Sequence, residues 1–154
     1  MRTGEKLTTE TAELSAEDRL EIQQLIARYS FYEDSGQAES YASLFTSDGT
    51  FFGGGDKTVT GREALARFAR QRWETRPQVR KWTHWVSNIV ITPTPDGAEA
   101  KSYSMVVEKN DNNYKIVKTS GKHDELRRED GVWRFHVRRV FALPVEVPVP
   151  ERSA

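Results

Sequence analysis

The residues best suited to acid–base chemistry are a histidine, His84, and an acid about fifty positions before it, Asp34. Imidazole titrates near neutrality, so it can take or give a proton without a metal. A carboxylate bonded to one ring nitrogen would fix the tautomer and leave the other nitrogen to accept a proton. Glu33 competes for that role because it shares a helical stripe with Tyr29. The alternative is that His84 is a core histidine bonded to a backbone carbonyl.

Two tyrosines of the same predicted helix, Tyr29 and Tyr32, are the candidate donors to a substrate carbonyl. A phenol that donates to this oxygen would stabilise an enolate in a dry pocket. In the alternative, non-catalytic interpretation, Tyr29 is a core residue and Tyr32 forms part of a pocket wall. With His84 as base and Asp34 as its partner, these tyrosines complete a group of residues that predicts removal of a proton next to a carbonyl or a leaving group.

A later strand adds polar groups on one face. Strict alternation places Ser120, Lys122 and Asp124 together, and His123 on the opposite face. A lysine on an inner face could bind an anionic substrate or form a Schiff base. More often such a lysine extends its ammonium to the rim of a pocket. We therefore predict Ser120 and Lys122 as substrate-binding residues.

The walls of the predicted pocket require apolar side chains, and each candidate could equally be an ordinary core residue. The candidates are the aromatic residues Phe51, Phe52, Phe68 and Trp82. On the last strand, alternation groups Arg134 and Arg138 with His136. An arginine at the pocket mouth could hold a substrate carboxylate.

Composition and motifs give no support to several classes of function. The chain has no cysteine, which excludes disulfides, thiolate metal sites and cysteine nucleophiles. Its three histidines lack metal-ligand spacing, and the glycines at 53–55 lack the Lys-Ser/Thr of a phosphate loop. With 23 basic and 23 acidic residues, neutrality does not favour nucleic-acid or membrane binding. We expect a small-molecule substrate, no metal and no cofactor.

At 154 residues the chain is long enough for one domain with a substantial core. No apolar run approaches the roughly 20 residues of a membrane span, and the polar N-terminus lacks the apolar segment of a secretory signal. We therefore expect a cytoplasmic protein. Residues 1–14 are predicted to form a flexible arm, 15–142 the domain, and 143–154 an extended proline-rich tail.

The elements that position these residues follow from apolar periodicity. Ser15 and Asp18 predict a capped helix start, and Gly36 predicts that helix's end. Further helices are predicted at about 39–45 and 62–74. The predicted strands are 50–52, 80–92, 98–108, 114–128 and 132–141. Three helices followed by a four-stranded antiparallel meander are typical of an α+β fold.

Both faces of the strand around His84 carry large apolar groups. Strict alternation gives one face Trp82, His84, Val86, Asn88 and Val90, and the other Thr83, Trp85, Ser87, Ile89 and Ile91. A strand with two apolar faces is usually covered on both. We therefore predict that one face lines the pocket and the other meets another subunit, in a homodimer or homotrimer.

The order of short sequence marks resembles the SnoaL-like branch of the nuclear-transport-factor-2-like superfamily. Within 15–142 the marks are Arg28-Tyr29, Asp34, the runs 44–51 and 61–65, the run 84–88 and the run 130–135. The resemblance implies a conical, curved antiparallel sheet, closed by three N-terminal helices around a deep pocket. It also implies that Asp34 and His84 match the Asp–His pair of scytalone-dehydratase-like and dehydrochlorinase members, and that Tyr29 matches a pocket tyrosine of bile-acid dehydratases.

Two positions depart from the pattern of that family. Lys122 stands where a tyrosine or asparagine usually points inward, and Val106 stands where relatives place a second polar catalytic group. Val106 is therefore expected to line the pocket rather than to react. A tyrosine expected after the second helix is replaced by Phe51 or Phe52.

Together these features predict a cofactor-free lyase or isomerase. It would use the Asp34–His84 pair to abstract a proton, with dehydration-type elimination as the first expectation, from a small apolar ring-containing substrate. One alternative is a non-catalytic small-molecule-binding or assembly domain, like the small subunit of a ring-hydroxylating dioxygenase. The other is a polyketide cyclase or aldol-type enzyme that uses the same residues.

Overall fold

The computed structural model describes residues 13–143, in which helices pack on one face of a six-stranded sheet. The helices are α1 (Ala16–Asp34), α2 (Ala38–Ser43) and α3 (Arg62–Thr75), with a 3-10 helix at Pro77–Lys81. The strands are β1 (Phe45–Phe52), β2 (Thr58–Thr60), β3 (Trp82–Thr94), β4 (Gly97–Asn110), β5 (Asn113–Glu129) and β6 (Val132–Ala142). The predicted arm and tail lie almost wholly outside the described residues. In the range 13–143, no helix is long and apolar enough to cross a membrane.

The sheet runs in the order β2-β1-β6-β5-β4-β3, and β1 is parallel to β6 while the other neighbours are antiparallel. The predicted α+β class is confirmed, with a curved sheet and three helices. Two strand predictions need correction, and one strand was not predicted. The strand predicted at 50–52 begins at Phe45, and β3 begins at Trp82 because a 3-10 helix occupies the preceding residues. The short β2 was not predicted because it lacks apolar alternation.

The sequence of α1 fixes both of its ends. The Ser15 hydroxyl accepts from the Asp18 backbone N–H at 3.0 Å, and the Asp18 carboxylate accepts from the Ser15 backbone N–H at 3.0 Å. This confirms the predicted capping box. Gly36 follows the helix with φ of +68°, and a Cβ there would lie 2.5 Å from the Trp73 ring, so only glycine fits. Asp34 is thereby held as the last helical residue.

The core lies between the helices and the inner face of the sheet. Tyr29 stands at its centre, with its ring centroid 4.9 Å from that of Tyr41 and 5.7 Å from that of Phe135. Burial of each large apolar side chain stabilises the fold by about 1.5–3 kcal/mol. Core residues from every layer are Ile22, Leu25, Ile26, Leu65, Phe45, Ala98, Ala100 and Leu126.

An irregularity in β3 overturns part of the predicted face assignment. The pairing of β3 with β4 shifts between Ser87 and Val90, and Asn88 adopts a positive φ of 55°. Beyond this bulge the side chains change faces. Val86 and Ile89 therefore both pack against the core, whereas Val90 is exposed.

A second irregularity, in β6, corrects the predicted position of an arginine. Phe135 pairs with Leu126 and Val137 with Glu125, so His136 is an extra residue in this strand. Arg138 therefore shares the inner face with Phe135 instead of lying at a pocket mouth. It is fully buried, and its guanidinium donates to both carboxylate oxygens of Asp124 at 2.9 and 3.0 Å.

Candidate functional site

The end of α1 meets β3 through one carboxylate. Asp34 Oδ1 lies 2.6 Å from His84 Nδ1, and Asp34 Oδ2 accepts from the His84 backbone N–H at 2.8 Å. Both side chains are mostly buried. With the carboxylate as acceptor, Nδ1 carries a proton. In the neutral tautomer of this ring, the free lone pair is then on Nε2. Of the two acids considered from the sequence, Asp34 is therefore the one bonded to Nδ1.

Glu33 occupies the other side of the imidazole. Its Oε2 lies 3.6 Å from His84 Nε2, and its carboxylate is paired with the Arg72 guanidinium of α3. Burial alone would raise the pKa of Glu33, but its interactions with His84, Arg72 and Lys122 outweigh burial and lower that pKa below its ordinary value. An anionic Glu33 can stabilise the imidazolium that forms when Nε2 takes a proton.

A cavity of about 190 Å³ opens between α1, α3 and the inner face of the sheet, and His84 and Tyr29 line it. Three exposed basic residues, Lys57, Arg76 and Lys118, also line it and mark its mouth. The structure places most of the predicted substrate-binding residues in its wall. These are Phe51, Phe68, Trp82, Val106, Ser120 and Lys122.

Three predicted site residues do not line this cavity. Asp34 bonds to His84 but is not part of the cavity wall. Tyr32 lies one helical turn beyond Tyr29 and instead borders a separate small pocket between the three helices. Phe52 points to the opposite face of β1 from Phe51, because successive strand side chains alternate. Its ring lies 5.2 Å from the Arg139 guanidinium.

Lys122 places a buried amine in the cavity wall. Its residue is 3% exposed, and its Nζ has no hydrogen-bond partner among the described residues. Nζ lies 5.5 Å from the centroid of the Tyr29 ring. Burial lowers the pKa of Lys122 to about 8, and the nearby charge of Arg138 adds to this effect.

Besides the three basic residues at the mouth, two polar wall residues were not identified from the sequence. Arg72 lies four residues after Phe68 on α3, so the same helical stripe could have indicated it. Ser104 pairs across the sheet with Ser120, and their hydroxyl oxygens lie 2.8 Å apart. Finding Ser104 required the strand register, which single-sequence patterns do not provide. Within residues 13–143, no cluster of three or more His, Asp or Glu side chains is placed to hold a metal ion.

The family of the chain is shown by a family model described as the SnoaL-like domain, which matches residues 14–139. Because this match covers most of the chain, the protein belongs to the SnoaL-like family. A comparison with curated proteins gives no match.

Comparison with solved structures identifies proteins with a similar fold. An NTF2-like protein with a cystatin-like fold from Novosphingobium aromaticivorans is 30% identical, with a TM-score of 0.75 over 83% of each chain. A protein of unknown function with a cystatin-like fold from Nostoc punctiforme is 29% identical, with a TM-score of 0.76 over 86% of this chain and 96% of that one. A protein from Catenulispora acidiphila, in complex with S-DNPA, is 28% identical, with a TM-score of 0.72 over 82% of this chain and 93% of that one. The chain therefore has the NTF2-like fold.

Replacing Lys122 by methionine should stabilise the fold in a pH-dependent way. Between the folded pKa of about 8 and the ordinary value of 10.5, the unfolded chain binds more protons, so wild-type stability rises with pH. Below about pH 8 the full cost of the buried ammonium is present. We expect Lys122→Met to be more stable by about 3 kcal/mol near pH 7, and this gain should shrink through the window 8–10.5. Urea denaturation across the window measures it.

The exposed Lys118 supplies the matched control for this comparison. Because its side chain is exposed, Lys118→Met should change the free energy of unfolding only slightly. A stability difference for Lys122→Met that stays constant from neutral to alkaline pH would contradict the assignment of a depressed amine pKa.

Proposed function

We propose that this protein is a cofactor-free lyase or isomerase in which His84 removes a proton beside a carbonyl or a leaving group. The observation that supports this most strongly is the 2.6 Å contact of Asp34 with Nδ1 of a histidine that lines a cavity. Asp34 would orient the ring, and Nε2 would accept the proton. A correctly placed base contributes about 10²–10⁴-fold to the rate.

Tyr29 is the proposed donor to the developing negative charge. It lines the cavity, and its hydroxyl lies 3.0 Å from that of Tyr41. Burial raises the pKa of Tyr29 well above its ordinary value, so the phenol keeps its proton. If Tyr41 donates to Tyr29, the Tyr29 proton is left for a substrate oxygen. Tyr32, which lies outside this cavity, has no role in this proposal.

A compact ring compound is the proposed substrate. The cavity of about 190 Å³ is somewhat larger than the roughly 150 Å³ cavity that holds benzene. Phe51, Phe68 and Trp82 give it flat apolar walls. Small-molecule binding is consistent with the Catenulispora relative, which was solved in complex with S-DNPA. Elimination of water is the first reaction to test, and a cyclase or aldol-type reaction would use the same base. A cytoplasmic location stays a prediction from the sequence.

Hydrogen–deuterium exchange at the carbon next to a ketone tests the base without requiring a known product. We expect the protein to accelerate exchange of 2-tetralone or 1-indanone in D₂O, followed by NMR. His84→Gln should lower the enzymatic rate by about 10²–10⁴-fold. Asp34→Asn should lower it less, because the base remains but its orientation loosens.

His123→Gln is the matched control, since His123 lies on the opposite face of β5 and its Nε2 lies 2.9 Å from Glu99. It should leave the exchange rate unchanged. The proposal fails if His84→Gln retains full activity. It also fails if ring ketones bind in the cavity, by ligand-observed NMR, yet exchange no faster than in buffer. The second outcome would favour the non-catalytic binding domain.

We further propose that the protein forms a homodimer or homotrimer through the outer face of the sheet. Trp85 is 59% exposed there and stands opposite Met105, and the neighbouring pair Val107–Ile116 extends the apolar surface. A contiguous exposed apolar patch of this kind is typical of an interface. A second copy of this neutral chain is the proposed occupant, because no net charge opposes self-association.

Trp85→Glu should convert the oligomer to a monomer, because it places a charge in the buried centre of the interface. Sedimentation velocity measures the change. Leu20→Glu is the matched control, since Leu20 is similarly exposed but lies on α1, away from the sheet. A wild-type protein that sediments as a monomer at high concentration would contradict this proposal.

A further inference from the structure

The unexplained feature of the cavity is the amine of Lys122. The other buried ionic groups near it have partners: Glu33 is paired with Arg72, and Asp124 with Arg138. Lys122 is buried to the same degree, but its Nζ has no hydrogen-bond partner within the described part of the chain. A buried charge without a partner costs several kcal/mol. Folding therefore shifts the protonation equilibrium of Lys122 toward the neutral amine, relative to an ordinary lysine.

The surroundings of Lys122 act on its charge in opposite directions. Burial and the adjacent Arg138 disfavour the ammonium, while nearby carboxylates favour it. An amine that is desolvated and placed beside another cation has the environment of a nucleophilic lysine. The charged and titratable groups around it come from α1, β3, β5 and β6: Tyr29, Glu33, Asp34, His84, Asp124 and Arg138.

We propose that Lys122 is a nucleophile that forms a Schiff base with a ketone or aldehyde group of the substrate. The substrate would enter between the exposed residues Lys57, Arg76 and Lys118, and its carbonyl carbon would meet Nζ inside the cavity. Lys122, His84 and Tyr29 line the same cavity, so the amine, the base and the phenol can act on one bound molecule. The inference rests on the proposed function for the role of His84.

The covalent step needs no added reactant. The Nζ lone pair attacks the carbonyl carbon, and the C=O π pair moves to oxygen. A proton passes from nitrogen to this oxygen and gives a carbinolamine. The Tyr29 phenol donates a second proton, the oxygen leaves as water, and an iminium ion remains beside the Tyr29 phenolate, which regains its proton when water later hydrolyses the iminium ion.

The iminium ion makes the adjacent C–H bond more acidic than the parent carbonyl does. Nε2 of His84 takes that proton, and the C–H pair forms a C=C bond while the iminium π pair moves to nitrogen. In an elimination, the nitrogen pair then expels a β-hydroxyl group, which leaves as water with the proton held by His84. Water finally adds to the new iminium ion and releases the unsaturated carbonyl product and the free amine.

Reductive trapping tests this chemistry with a defined probe. We would incubate the protein with benzaldehyde and sodium cyanoborohydride near pH 7 and locate the added benzyl groups by peptide mass spectrometry. Below about pH 8 the neutral fraction of Lys122 exceeds that of an ordinary lysine by roughly 10²-fold. We expect Lys122 to be labelled at least about tenfold faster than Lys118 and Lys57 of the same molecule.

Lys122→Arg is the decisive variant because it keeps the positive charge but cannot form a Schiff base. It should lose both the labelling at this position and the accelerated exchange of 2-tetralone. His84→Gln should lose the exchange but keep the labelling. The exchange assay of His84→Gln therefore tests the proposed base, and the labelling of Lys122 separately tests the proposed nucleophile.

Two results would overturn the inference. One is labelling of Lys122 in the folded protein at or below the rate of Lys118. The other is full exchange activity in Lys122→Arg. If in addition benzoate binds to wild type and to Lys122→Arg but not to Lys122→Met, Lys122 holds an anionic group of the substrate instead.

Discussion

The candidate site depends on two hydrogen bonds made by the Asp34 carboxylate to His84, one to the ring and one to the backbone. They join the last residue of α1 to the inner face of β3. An acid at a helix C-terminus is disfavoured by the helix dipole, and α1 has no basic residue in its last turn. The bonds to His84 offset this cost. They also orient the imidazole, so one contact serves both the packing of the helix and the presentation of Nε2.

The other charged groups of the site are buried close together in the same part of the structure. Carboxylates at the end of α1 and on β5 are compensated by arginines from α3 and β6, which leaves the Lys122 amine without a direct partner among residues 13–143. Natural proteins tolerate such local costs where function requires them. The buried amine of Lys122 and the His84 imidazole line one cavity. In the proposed mechanism, His84, Tyr29 and Lys122 supply a base, a phenol and a nucleophile to one substrate in that cavity.

The sequence was sufficient for those features that depend on regular repeats. The capping box of Ser15 and Asp18, the α+β class and the shared face of Ser120, Lys122 and Asp124 on β5 all follow from local chemistry or a regular repeat. The prediction that Arg138 lies beside His136 was wrong because one extra residue in β6 reverses the faces beyond it. No single-sequence signal marks that bulge.

The sequence was also insufficient to predict which individual side chains line the cavity. Phe51 and Phe52 are chemically identical, and only the register of β1 decides which ring faces the cavity. Tyr32 lies one helical turn past Tyr29, so its position depends on the packing of α3 against α1. The helical stripe of Phe68 could have indicated Arg72 as a wall residue, but only the structure shows its pairing with Glu33, since an arginine on a helix is usually solvated.

Measuring which nitrogen of the neutral His84 ring carries hydrogen is the most direct test of the proposed mechanism. Proton-coupled ¹⁵N NMR of ring-labelled protein, recorded where the imidazole is neutral, identifies which nitrogen carries hydrogen. The structure predicts hydrogen on Nδ1 and a free lone pair on Nε2, with a shift toward a mixture of tautomers in Asp34→Asn. A neutral ring with its hydrogen on Nε2, or a tautomer unaffected by Asp34→Asn, would contradict the assignment of His84 as the base.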